Sequence, residues 1–103
     1  MKKYGLTEAE LQKIVSVLSV NTRIESAILF GSRALGNFKE ASDIDIAIKS
    51  KNADMLLTGK IKSTLEEDTN IPYFFDIIDY ATITNHELKK HIDEKGVVIY
   101  SKK

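Results

Sequence analysis

Two aspartates one residue apart, Asp43 and Asp45, sit in the otherwise apolar run Asp-Ile-Asp-Ile-Ala-Ile. Aspartate is depleted from strands, and carboxylates are seldom buried without a partner. Their presence there asks for a chemical reason. On an extended chain, residues two apart stand roughly 6.5 Å from each other and point the same way. Two carboxylates converging from that spacing can grip hard cations, and paired catalytic metals sit about 3.5–4 Å apart. Magnesium takes one or two carboxylates and completes its shell with water and substrate phosphates. Asp-x-Asp on an open strand face therefore suits a site whose other ligands come from a nucleoside triphosphate. Alone, the same spacing also occurs by chance on solvated edge strands.

The context narrows the choice. Twelve residues before Asp43 the chain reads Gly31-Ser32, followed by Gly36. Glycine lets a backbone approach phosphate closely, and amides at the start of a helical turn favour anions. Ser32 adds a hydroxyl donor. A phosphate loop followed by a metal-binding strand is a joint requirement that chance meets less often than either part. Arg33 and Lys39 are the basic residues of this loop and are candidate phosphate contacts. A third carboxylate is offered by Tyr-Phe-Phe-Asp-Ile-Ile-Asp-Tyr, residues 73–80. Strand parity puts Phe75, Ile77 and Asp79 on one face, and Phe74, Asp76 and Ile78 on the other. Asp76 is central and flanked by apolar residues, where an unpaired charge is hardest to excuse. Asp79 lies near the strand end, where a solvated acid is the simpler reading. Asp76 is therefore the chosen third acid.

Thr7 and Glu10 form a capping-box pair, and Leu11, Ile14, Val15 and Leu18 follow at helical spacing. Glu25 to Phe30 reads as a strand, and Gly31 to Ser42 as a polar loop with room for one helical turn. Asp43 to Lys49 alternates strictly, with Ile44, Ile46 and Ile48 opposite Asp43, Asp45, Ala47 and Lys49. Ala53 to Glu67 reads as a helix with Leu57, Ile61 and Leu65 on one stripe. Pro72 leads into a strand over Tyr73 to Tyr80. Thr84 and Glu87 repeat the capping-box signal for a last helix, which Gly96 stops, and Val97 to Tyr100 is extended. The order α-β-β-α-β-α, with a further strand possible, predicts an α+β fold. Its small mixed β-sheet has helices packed mainly on one face.

The 103 residues suit a single domain, residues 1–103, with a modest core. The apolar fraction is 43%, and no window reaches the length of a membrane span. The opening Met-Lys-Lys-Tyr-Gly carries no apolar stretch of the kind a signal peptide needs. The absence of cysteine excludes a disulfide scaffold and a thiolate metal site and fits a cytoplasmic location. Fifteen basic residues balance fifteen acidic ones, which argues against an extended nucleic-acid footprint.

Gly31-Ser32, Gly36 and Ser42-Asp43-Ile44-Asp45, with Asp76 in a later apolar strand, resemble the signature of the DNA polymerase β-like nucleotidyltransferase superfamily. Within it the chain looks most like the minimal nucleotidyltransferases, or MNT proteins. The resemblance implies a Mg2+-dependent nucleotidyltransferase that uses two ions, with ATP as substrate. Asp43, Asp45 and Asp76 would be catalytic and metal-binding, the third acid also helping to deprotonate the attacking hydroxyl. Gly31, Ser32, Arg33 and Ser42 would be nucleotide-binding. The minimal family is often paired with a helical HEPN protein in toxin–antitoxin modules. The implied activity is therefore adenylylation of a HEPN-like toxin partner by its antitoxin, within a homo- or hetero-oligomer. Two other readings stand beside it: a non-catalytic, nucleotide-binding antitoxin that acts by occlusion, and a small-molecule nucleotidyltransferase. His86 and His91 are five apart, about 140° round a helix, which does not fit a zinc pair, and both read as surface residues. Gly59-Lys60 lacks the flanking residues of a P-loop. Phe74 is a candidate for base stacking, with burial in the core as the plainer reading, and Phe38 in the loop is equally a partner-docking contact or a residue tucked back on the core.

Overall fold

The Thr7 hydroxyl oxygen accepts the Glu10 N–H at 3.1 Å, and the Glu10 carboxylate accepts the Thr7 N–H at 2.8 Å. This reciprocal cap starts α1 (Glu8–Val20), as the sequence pattern predicts. The computed structural model describes residues 2–51 and 55–102. After α1 come β1 (Ile24–Phe30), the single turn α2 (Ser32–Leu35), β2 (Ile44–Ser50), α3 (Met55–Glu67) and β3 (Phe75–Asp79). A 3-10 turn (Tyr80–Thr82), α4 (His86–Lys95) and β4 (Val97–Ser101) complete the order. The expected start of the second long helix, at Ala53, lies outside the described residues.

The sheet order is β3-β2-β1-β4. β1 runs antiparallel to β2 and to β4, and β2 runs parallel to β3. The expected extended tail is thus a paired edge strand, and the sheet is mixed. Its two faces follow from the alternation in β2. Ile44, Ile46 and Ile48 join Leu29 of β1 and Phe75 and Ile77 of β3 in a core against Ile14 and Leu18 of α1 and Ile61 and Leu65 of α3. The other side of the sheet carries a smaller cluster, in which Ile28, Phe30 and Ala47 pack on Ile92 of α4. The two long helices lie on one face, as expected, while α4 covers part of the other.

One cap differs from the sequence reading. Asn85, not Thr84, starts α4: its Oδ1 accepts the N–H groups of Glu87 and Leu88 at 2.9 and 3.1 Å. Asparagine is at least as good an N-cap as threonine, so the adjacent stronger cap wins. At the far end, the Gly96 N–H donates to the Ile92 carbonyl at 3.0 Å and closes the helix.

Candidate active site

β2 and β3 bring the acids together. Parallel pairing sets Asp45 opposite Asp76, with Ile44 opposite Phe75 and Ile46 opposite Ile77. Paired residues of neighbouring strands share a face, and the strands lie about 4.7–4.9 Å apart. The two carboxylates therefore stand side by side on the face away from α1 and α3, as strand parity predicts. Asp43 precedes β2 by one residue and is exposed, as is Asp76, while Asp45 is half-buried. Burial, then the Asp76 charge, then the Asp43 charge push the Asp45 carboxyl up from 3.8 to about 6; the Arg33 charge opposes the shift.

These acids suit a hard divalent cation, since they offer oxygen donors and an excess of negative charge felt at Asp45. Among the described residues, no three acidic, histidine or cysteine side chains close into a ready-made metal cage. That is compatible with an ion that draws most of its shell from water and substrate phosphates.

The turn after β1 abuts these acids. Gly31 has φ 78° and ψ −156°, a region essentially restricted to glycine. A β-carbon there would collide with Asp45 Oδ2, so the backbone lies directly against that carboxylate. Ser32 opens α2 beside it. The Ser32 carbonyl accepts the N–H groups of Gly36 and Asn37 at 2.9 and 3.2 Å, and Gly36 closes the turn with φ 87°.

Two residues expected at the nucleotide have other work. Arg33 is 1% exposed. Its Nε and Nη2 donate to the Ser42 carbonyl at 3.2 and 2.7 Å, and Nη1 donates to the Tyr4 carbonyl at 2.8 Å. The guanidinium also lies 4.4 Å from the Tyr73 ring centroid and 5.2 Å from that of Phe38. In place of a phosphate contact, Arg33 is a buried clamp that ties the loop to the N-terminal segment. The Ser42 hydroxyl accepts the Lys39 N–H at 2.8 Å, and its backbone N–H donates to the Lys39 carbonyl at 3.0 Å. Ser42 thus closes the loop on itself. Phe38, considered for docking, folds back over Arg33 and is half-buried. Phe74 points outward with 72% exposure, beside the start of β2, whose Ile44 N–H donates to the Phe74 carbonyl at 2.9 Å.

Asp79 departs from the solvated reading. It is 8% exposed and lies on the core side with Phe75 and Ile77. Its carboxylate accepts the Ala81 N–H at 3.0 Å and caps the 3-10 turn. His91 is the residue that the sequence reading missed. It is half-buried, and its Nε2 accepts the Gly31 N–H at 2.8 Å. The available signal was the inward stripe of α4: Leu88, His91 and Ile92 fall at i, i+3 and i+4. His86, by contrast, is exposed.

The comparisons with known proteins agree with this geometry. The family model described as polymerase beta, nucleotidyltransferase matches residues 12–103. A curated relative, the probable protein adenylyltransferase MntA of Haemophilus influenzae, is 36% identical over 74 residues, which is 71% of this chain and 63% of the relative. The match thus spans less than two thirds of that relative's length. Among solved structures, a toxin–antitoxin crystal structure with AMP-PNP aligns at a TM-score of 0.71 and 20% identity, covering 94% of this chain and 75% of that one. The complex of tri-AMPylated Shewanella oneidensis HEPN toxin with MNT antitoxin aligns at 0.70 and 18% identity, covering 92% and 72%. At these identities the solved structures show a shared fold. Among the described residues, no helix is long and apolar enough to cross a membrane.

Proposed function

The chain belongs to the polymerase beta nucleotidyltransferase family, and from that footing we propose that it transfers AMP from ATP to a hydroxyl side chain of a partner protein. The proposed partner is a HEPN-type toxin and the proposed setting the cytoplasm, with this chain as the antitoxin. The observation that carries the reading is the pairing of Asp45 with Asp76 beside the Gly31–Ser32 turn. The relative's name, protein adenylyltransferase, and the AMPylated HEPN toxin of the aligned complex support the choice of acceptor.

The chemistry follows from the placement of the side chains. Ser32 and the turn that it opens receive the triphosphate next to the acids. Asp43, Asp45 and Asp76 would hold divalent cations, which when bound would neutralise charge on the attacking and leaving oxygens. The acceptor oxygen forms a bond to the α-phosphorus as the bond to pyrophosphate breaks. Asp76, exposed at the sheet edge, accepts the hydroxyl proton. Positioning and charge, rather than a covalent intermediate on this chain, account for the rate.

Incubation with α-phosphate-labelled ATP, magnesium and a HEPN partner tests the reading. Label should appear on a hydroxyl residue of the partner, vanish with Asp45→Asn, and be absent from a DNA primer offered in parallel. Tight partner binding without label, across several nucleotides and metals, would replace transfer by occlusion.

A further inference from the structure

We propose that His91 is a positioning residue, the acceptor that pins the Gly31 amide and so presents the Gly-Ser turn to the nucleotide. Its functional half rests on the nucleotidyltransferase reading above. Three observations meet at this residue. The Gly31 N–H donates to Nε2 at 2.8 Å. The imidazole ring meets Phe30 edge-on, with centroids 6.2 Å apart and planes at 75°. Phe30 is the last residue of β1 and pairs with Asp45 across the ladder. The ring therefore holds the strand end on one side and the first residue of the turn on the other, although His91 lies sixty residues away in the chain.

The turn needs such a hold. Glycine reaches the Gly31 conformation without steric cost but also has the most alternatives to it, so contacts must select it. Its amide is partly buried, so the absence of an acceptor would leave a donor poorly satisfied. A neutral imidazole has one donor and one acceptor nitrogen. Acceptance at Nε2 places the ring proton on Nδ1. Because His91 occupies the Gly31 amide, Gly31 contributes close approach to Asp45 instead of a phosphate bond, and Ser32 takes the phosphate contact. Asp45 itself is fixed within β2 by ladders on both sides. Losing the His91 acceptor should therefore weaken nucleotide binding more than it slows chemistry.

Two measurements on the full chain test this. In nitrogen NMR of the nucleotide-free protein, His91 should show a bare Nε2, a protonated Nδ1 and a coupling from Nε2 to the Gly31 amide nitrogen. A protonated Nε2 or a missing coupling would overturn the contact itself. In transfer kinetics, His91→Phe keeps a ring against Phe30 but removes the acceptor. Its KM for ATP should rise about tenfold, the lower end for supporting residues around a metal site, with kcat within about threefold. His91→Gln, which restores an acceptor at similar reach, should recover most of the lost KM. Equal KM values in wild type and His91→Phe, or an intact KM with collapsed kcat, would refute the positioning role. An unfolded His91→Phe leaves the decision to His91→Gln and the NMR coupling. If the wild type neither binds nor transfers nucleotide, the function reading fails, the nucleotide half of this proposal fails with it, and the coupling alone judges the hold on the turn.

Discussion

Asp45→Asn should make the metal-free protein more stable while destroying its activity. The substitution keeps shape and removes charge. In the folded protein the Asp45 carboxyl is raised from 3.8 to about 6, first by burial, then by Asp76 and Asp43. Below pH 3.8 both folded and unfolded states carry the proton, and Asp45 costs nothing. Between 3.8 and about 6 the folded state holds it more tightly, so stability falls as pH rises through that window. Above about 6 the full cost is present. At about 1.4 kcal/mol per pH unit the ceiling is about 3 kcal/mol. Asp45 is only half-buried, and screening by water lowers this to about 1 kcal/mol. For a chain of this size, that is a rise in Tm of about 4–8 °C. Thermal unfolding of wild type and variant in EDTA, at pH 7.5 and pH 3.5, reads the difference directly. The gain should appear at pH 7.5 and shrink toward zero at pH 3.5. Added magnesium should raise the wild-type Tm and leave the variant nearly unmoved, and transfer should fall by more than the roughly 10–100-fold typical of supporting residues. A variant less stable than wild type at pH 7.5 in EDTA would refute the account, since it would mean that the ionised carboxylate is stabilised by its surroundings.

The two acids of β3 should separate cleanly. Asp76→Asn should abolish transfer with little change in Tm, whereas Asp79→Ala should lose about 0.5–2 kcal/mol as a lost cap and keep most transfer per folded molecule; the reverse pattern in paired activity and melting assays would invert the faces of β3. Arg33→Met should leave the Tyr4 and Ser42 carbonyls without their donor and cost about 1–3 kcal/mol in urea titration. Its KM for ATP should stay within about twofold, because uniform ground-state binding is what a phosphate contact would have contributed; normal stability with lost nucleotide affinity would restore Arg33 to the phosphate.

Short-range pattern determined much of this protein. The alternation in β2 separated Ile44, Ile46 and Ile48 from Asp43 and Asp45, because a side-chain period of two leaves a strand with one buried face no other register. The same rule placed Asp76 opposite Asp79, and the β2–β3 pairing puts Asp76 beside Asp45. The Thr7–Glu10 cap was likewise readable, because both partners lie within one helical turn. What tertiary structure decided were the partners of groups whose type allows several. A guanidinium can bind phosphate or backbone carbonyls, and only the folded loop brings the Tyr4 and Ser42 carbonyls to Arg33. A carboxylate at a strand end can face water or cap a turn, and the chain's turn after Asp79 supplied an amide to accept. His91 looked like a surface residue because its partner is sixty residues away and is a backbone N–H. Every residue but proline carries that group, so no side-chain pattern could announce which one the imidazole would meet.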